Sequence, residues 1–430
     1  MIDSLIKKLP DTVNWFDILS TEGTSTSISF KNNRLHSLNE KQNSGSGIRI
    51  NVDNRTGFSY TNDSSNMDGI IERALAMASY GDREGFLLPG PAPAAFEPFD
   101  DKISLFDTAN EIEKGSSVIA AILARYPRAN IDVSMGASQG LTRIVNSSGF
   151  NATYRNSFYS LSVSITVIQD DGTKIDVWDS ISSLSPRDCD EIPGRLLERI
   201  RLAENTRSAE SGKIPVILTP RAFSRLLGIV ASGLDARSVY RGISPFGGKT
   251  GEKLFNEGFT LTDDPTITDS PYSYPFDDEG VPGLRKDLIR SGIIENFVTD
   301  LKHAEKLGLI PGGNASRGYA SLPSPSFSSI IIGGGTASME SMLRNMGRGL
   351  LVEQFIGLGQ SNTLTGDFSG NLDLAYLVEN GEITGRVKDC MLADNIFSLL
   401  GGELVLSSER EQTGSVLSPF AFFPAVNYTR

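Results

Sequence analysis

Hydrophobic and polar positions alternate at short period between residues 24 and 60. Within residues 24–60, TSISF, GIRINV and GFSY show the partial alternation of half-buried strands, and NN, GSG and DNRTG interrupt them, so short strands joined by turns are expected. The period then lengthens. In DGIIERALAMASY, residues 68–80, Ile70, Ile71, Ala74, Met77 and Ala78 recur at helical spacing. The next stretch, PGPAPAAFEPF at 89–99, is too rich in proline for a helix and reads as a crossing linker. A second helix is expected from about 107 to 125. Alternation returns over 130–180, where NIDVSMG, GLTRIVN, FYSLSVSITVI and TKIDVWDS predict an antiparallel meander with turns at NSSG and QDDG. A helix around 193–204 closes this half, and SAESGKIP reads as a boundary.

The second half opens with a strand, PVILT, and a helix, PRAFSRLLGIVASGLDA. Strands and loops dominate afterwards, as in GLLVEQF, LAYLVENGEITGRVKDCML and SVLSPFAFFPAVNYT. Asn380-Gly381 between apolar runs suits a type I′ hairpin turn. Helices mixed with mostly antiparallel strands argue for an α+β protein. The expected organisation is an N-terminal α/β domain with an antiparallel meander over 1–208, then a mostly-β domain with peripheral helices over 209–430.

Composition changes this picture only by exclusion. The chain has 430 residues and a net charge of −12, and no basic run offsets that charge, so direct contact with nucleic acid is not expected. The N-terminal stretch lacks an apolar signal region, and no window approaches the roughly 20 apolar residues of a membrane span. Two cysteines make no disulfide framework, which points to the cytoplasm. His36 and His303 are the only histidines, so two histidines on one metal-binding helix are excluded by counting.

Several motifs invite chemistry and then decline it. GISPFGGKTG contains Gly248-Lys249-Thr250, but a phosphate loop needs a glycine where Ile243 stands. IIIGGGTASMESML runs from strand to glycines to helix, yet Ser338 occupies the last glycine position of a dinucleotide turn, and Thr336 or Ser338 as a helix N-cap explains it more simply. Cys189 and Cys390 lie outside any C-x-x-C pair and are expected to be inert. His303 follows Asp300 by three residues, which permits a contact between them, although a surface or packing histidine is the simpler reading. PFDDEGVPG sets Asp277, Asp278 and Glu279 side by side. Such acids can hold a hard cation or move a proton, but adjacent acids diverge on an extended chain, and a structured turn is favoured.

The order of motifs is more specific than any one of them. FDDEGVPG, LIRSGIIENFVTD, GNASRG, LPSPSFSSIIIGGG, GRGLLVEQFIGLG, TLTGDFSGN and VENGEI follow in sequence, after ISFKNNRLHSLNE and GSGIRINVDNRTGFSY. Over nearly its whole length the chain resembles the TldD/PmbA family, also described as modulators of DNA gyrase. The resemblance implies a two-subunit metallopeptidase in which the TldD-like branch carries a zinc helix, H-E-x-x-x-H, and a distal cysteine ligand. In this sequence the matching helix follows Leu226-Leu227 with Gly228-Ile229-Val230-Ala231-Ser232-Gly233, and SSEREQTGSVLSP has no cysteine. The chain thus resembles the PmbA/TldE-like branch, which lacks the zinc site.

That resemblance implies no cofactor in this chain, zinc in a partner subunit, a heterodimer with a TldD-like relative or a homodimer, and peptide substrates. Loops rich in Gly, Asp and Ser let a backbone approach closely, so DDEG and LTGDFSG are the candidate lining of a peptide cleft. The candidate residues are Asp277, Asp278, Glu279, Gly280, Gly366, Asp367 and Ser369. Two alternatives stay open: a stand-alone hydrolase built on these acids, and a non-enzymatic peptide-binding homodimer.

Overall fold

The computed structural model describes residues 5–63 and 68–430. The N-terminal sheet has six strands: β1 (Trp15–Lys31), β2 (Arg34–Val52), β3 (Arg55–Thr61), β4 (Asn130–Asn146), β5 (Asn151–Ile168) and β6 (Lys174–Ser183). Their order is β3-β2-β1-β4-β5-β6, and every pairing is antiparallel. The strands are longer than the pattern suggests. NN and DN do make hairpin turns, with Asn32, Asn33, Asp53 and Asn54 all at positive φ. GSG does not: Gly45 and Gly47 lie inside β2. Tyr319 of the second half crosses directly over both glycines, and a Cβ at either would collide with it. These glycines answer a close approach, not a turn. Likewise NIDVSMG and GLTRIVN are one strand, β4. NSSG and QDDG turn the meander as expected.

Helix α1 (Asp68–Ala78) covers one end of this sheet, where Ile70, Ile71 and Ala74 meet Ile18, Ile48 and Ile50. Helix α2 (Thr108–Arg125) is capped by the Asp107 carboxylate, which accepts from the Asn110 N–H. Helix α3 (Glu191–Ala203) follows β6. Residues 89–99 form no regular element. They run across β4 and β5, held by Asn146 Nδ2 donating to the Pro89 carbonyl and by the Ser157 N–H donating to that of Pro98.

A larger mixed sheet, twelve strands among the described residues, makes the second half. At its centre Gly212–Leu218 lies between Arg348–Ile356 and Val416–Thr429. Both faces are buried. Ile217, Leu351, Leu374 and Tyr376 join one core with α2, α3 and the β4–β5 pair. Val216, Leu218, Val352 and Phe423 pack beneath helix α4 (Pro220–Gly233) on the opposite face. The helix expected to continue past Gly233 stops there, and Asp235 caps a new short helix, Ala236–Tyr240. Asn380 and Gly381 both take positive φ in the expected hairpin.

Candidate functional site

PFDDEGVPG folds into a tight turn around the carboxylate of Asp277. Oδ1 accepts from the N–H groups of Glu279 and Val281, each at 2.9 Å, and Oδ2 accepts from Ala315 at 2.9 Å. Gly280 sits at φ +84, and a Cβ there would press on Phe150 at 3.2 Å, so both conformation and space call for glycine. Phe276 enters the N-terminal sheet edge-on to Phe150 and Tyr154, at ring separations of 5.0 and 5.2 Å.

The turn then joins a buried ionic network that no local pattern reveals. Asp17 on β1 stands directly opposite Arg49 on β2. Arg49 Nη1 donates to Glu279 at 2.7 Å, and its Nε and Nη2 donate to Asp17. Arg317, from GNASRG, donates to Asp17 at 3.0 and 3.2 Å and reaches the Asp278 carbonyl through Nε. The second Glu279 oxygen accepts from the Leu301 N–H at 2.7 Å. Trp15 and Phe86 flank the Arg49 guanidinium, with ring centroids 5.8 and 5.7 Å away. Asp17, Arg49, Glu279 and Arg317 are all buried.

Burial sets the titration here. It would raise Asp17, but the charges and hydrogen bonds of Arg317 and Arg49 outweigh it and hold this carboxyl below its ordinary range. Asp277 is pushed well above its ordinary value, first by burial and then by the nearby Glu279 charge. Glu279 is raised by burial despite Arg49. Asp278 is raised to about 6 by burial, against the pull of the Arg317 N–H and charge. Asp277 and Asp278 line a cavity of about 120 Å³ with Tyr154, Tyr274 and Phe327. The carboxylates of Asp277 and Glu279 are committed to backbone amides and Arg49, the arrangement of a latch between the two halves.

LTGDFSG lies elsewhere. Gly366 is buried under Phe397 at φ +83, while Asp367 and Ser369 are exposed. Asp367 accepts from Thr365 Oγ1 at 2.6 Å and Asn395 Nδ2 at 2.9 Å, which lowers its pKa. Among the described residues, no hydrogen bond joins this loop to the acidic turn. The structure therefore does not bring the seven candidate residues into one constellation.

The other motifs resolve simply. Ser338 caps the helix Met339–Met346 by accepting from the Ser341 N–H. His303 is buried against Tyr240, and its Nδ1 lies 2.7 Å from Asp300, which also caps the helix Leu301–Leu307. His36 is exposed on β2. Burial raises both thiols, Cys189 and Cys390, and both are free.

Sequence reasoning missed a second ionic group, at the start of α4. Arg221 donates to Asp179 at 3.0 Å and lies over the Trp178 ring at 3.9 Å, while Arg195 binds the same carboxylate at 2.8 Å. The one local signal was an arginine in the first turn of a helix, where the macrodipole disfavours a cation.

The description "PmbA/TldA metallopeptidase C-terminal domain" matches residues 211–430, domain 1 matches 16–78, and the central domain matches 93–203. The chain belongs to the PmbA/TldD metallopeptidase family. It is 26% identical over 426 residues to metalloprotease PmbA of Escherichia coli O157:H7, covering 94% of this chain and 90% of that one. It is 33% identical over 187 residues to a metalloprotease TldD homolog of Haemophilus influenzae, over 43% of this chain and 39% of the relative. The crystal structure of TldE from Thermococcus kodakarensis has the same fold, with a TM-score of 0.91 at 23% identity and full coverage of both chains.

Zinc, which the family name implies, does not fit the residues of α4. Positions 228–233 offer no imidazole, thiolate or carboxylate. Gly233 has no room for a side chain, since a Cβ would stand 2.6 Å from the Phe246 ring. Among the described residues, no three His, Cys, Asp or Glu side chains converge to hold a metal ion. No helix there is long and apolar enough to cross a membrane.

Proposed function

We propose that this chain is the zinc-less subunit of a two-subunit metallopeptidase that acts on unfolded peptides, and that a zinc-bearing relative supplies the chemistry. One observation carries the reading: where the family's zinc helix stands, α4 has glycine, aliphatic and serine residues, and Phe246 occupies the space a ligand at position 233 would need. The full-length likeness to TldE supports the same branch. Two free, buried cysteines support a reducing, cytoplasmic setting. In this reading the chain contributes shape to a shared cleft, and no proton transfer or metal ligation is assigned to it.

Reconstitution tests the proposal. The chain is purified alone and with a relative bearing H-E-x-x-x-H, zinc is quantified, and cleavage of an unstructured peptide is followed. The chain alone is expected to bind no stoichiometric zinc and cut nothing, and the mixture to cut. Cleavage by the isolated chain with bound metal would favour a stand-alone hydrolase. A stable homodimer that ignores the relative would favour a peptide-binding homodimer.

A further inference from the structure

β6 forms one edge of the N-terminal sheet. β6 pairs only with β5, so alternate backbone groups point away from the sheet. Side chains from α3 and from the second half cap three of the outward carbonyls. Arg386 Nη1 donates to the Lys174 carbonyl at 2.6 Å, Gln354 Nε2 to that of Asp176 at 3.4 Å, and Arg199 and Arg221 both donate to that of Trp178. These three carbonyls share one parity, and the same alternation places the outward groups of Ser180 and Ser182 next in line. The Ser180 N–H is taken by the Asp179 carboxylate at 2.8 Å. Among the described residues, the outward carbonyl of Ser180 and the outward N–H and carbonyl of Ser182 have no partner.

That stretch is also where the protein leaves space. Ser180, Ile181 and Ser182 line a cavity of about 610 Å³, bounded by the first turn of α3, the loop around Tyr272 and the strand Ile330–Ile332. The volume lies within the roughly 300–1,000 Å³ of ordinary ligand sites. Its walls alternate apolar surface, including Ile192, Pro271, Ile331 and Leu417, with charge. Four carboxylates, Asp188, Asp190, Glu191 and Asp269, stand against two guanidinium groups, and one of these, Arg195, is already held by Asp179 and Glu191.

We propose that this cavity binds a short extended peptide with alternating basic and apolar residues, which adds a strand to β6 at Ser180–Ser182. The unpaired backbone groups supply the register, since an added strand recovers hydrogen bonds that a strand edge otherwise leaves to water. The apolar walls receive every second side chain, and the acidic rim receives the cations between them. This extends the peptide-handling reading but places a holding site in this chain itself, independent of zinc and of a partner.

Binding of the labelled peptide Ac-Lys-Val-Lys-Val-Lys-amide to the isolated full-length chain, followed by fluorescence anisotropy, tests the site. Saturable binding is expected, with the Glu-for-Lys peptide weaker. Methylating the peptide nitrogens along one edge should weaken binding about tenfold, the loss expected from one or two hydrogen bonds, while methylation along the other edge should not. Ser182→Pro, which removes the free N–H at an edge position that tolerates proline, should weaken the unmethylated peptide to a similar degree. Absence of saturable binding, or equal affinity of both methylated peptides, overturns the proposal even if Ser182→Pro fails to fold. Because no partner or cleavage is involved, failure here leaves the reconstitution result untouched, and the reverse also holds.

Discussion

Asp278 holds its proton more tightly in the folded chain than a free carboxyl does, with a pKa of about 6 caused mainly by burial. The sign follows from linkage. Between the ordinary value of 3.8 and about 6, the native state binds more protons than the unfolded state, so this group's contribution to stability falls as pH rises through that window. Asp278→Asn keeps an acceptor for the Arg317 N–H and removes the ionisation. Relative to wild type, the variant should gain roughly 2 kcal/mol between pH 4 and pH 7 in urea unfolding. A difference that stays flat with pH would refute this. Arg49 is the opposite case. Removing it strands Glu279 and deprives Asp17 of one of two partners, so Arg49→Ala should cost about 3–5 kcal/mol. A loss below about 1 kcal/mol would mean water replaces the guanidinium. The acidic turn itself was readable from three adjacent acids and a glycine. Its partners were not, because Asp17, Arg49 and Arg317 meet across hundreds of residues, and only the register of β1 with β2 places the first two opposite each other.

Helix α4 carries two glycines whose environments predict opposite effects. Gly228 is exposed in the helix interior, and a Cβ there would meet nothing within 4 Å. Gly228→Ala should therefore stabilise the isolated chain by about 0.5–1 kcal/mol, through the lost freedom of the unfolded backbone. Gly233 presses on Phe246 and Pro245, so Gly233→Ala should destabilise by roughly 1–3 kcal/mol. Urea midpoints for the two variants decide this, and equal shifts would show that Phe246 moves aside. If Gly228→Ala stabilises the chain yet weakens association with the zinc-bearing relative, the open helix face is part of that interface. The elements themselves were largely legible, since 3.6-residue and two-residue periods are local properties. Their lengths were not. β2 runs through GSG because Tyr319 demands glycine there, and a residue so distant along the chain leaves no mark on local alternation.

The two halves share one core. Ile217, Leu351, Leu374, Tyr376 and Val378 of the large sheet pack in the same cluster as Ile28, Val133 and Leu161 of the small one, with α2 and α3 completing it. The Asp17–Arg49–Glu279–Arg317 network crosses the same divide on the other face of the N-terminal sheet. Separating the chain near 208 would expose those large-sheet side chains together and leave Arg317 and Glu279 without Asp17 and Arg49. Exposed apolar patches of this kind drive association, and unpaired buried charges oppose folding. A fragment of residues 209–430 expressed alone should therefore aggregate or give the broad near-ultraviolet spectrum of a loosely packed chain. Adding the 1–208 fragment should restore solubility and a native spectrum, since the contacts each lacks are supplied by the other. A soluble 209–430 fragment with cooperative unfolding on its own would show that the large sheet does not need the first half. In that event the ionic latch would orient two independent units, and Arg49→Ala would change their relative placement, measured by small-angle scattering, more than the stability of either.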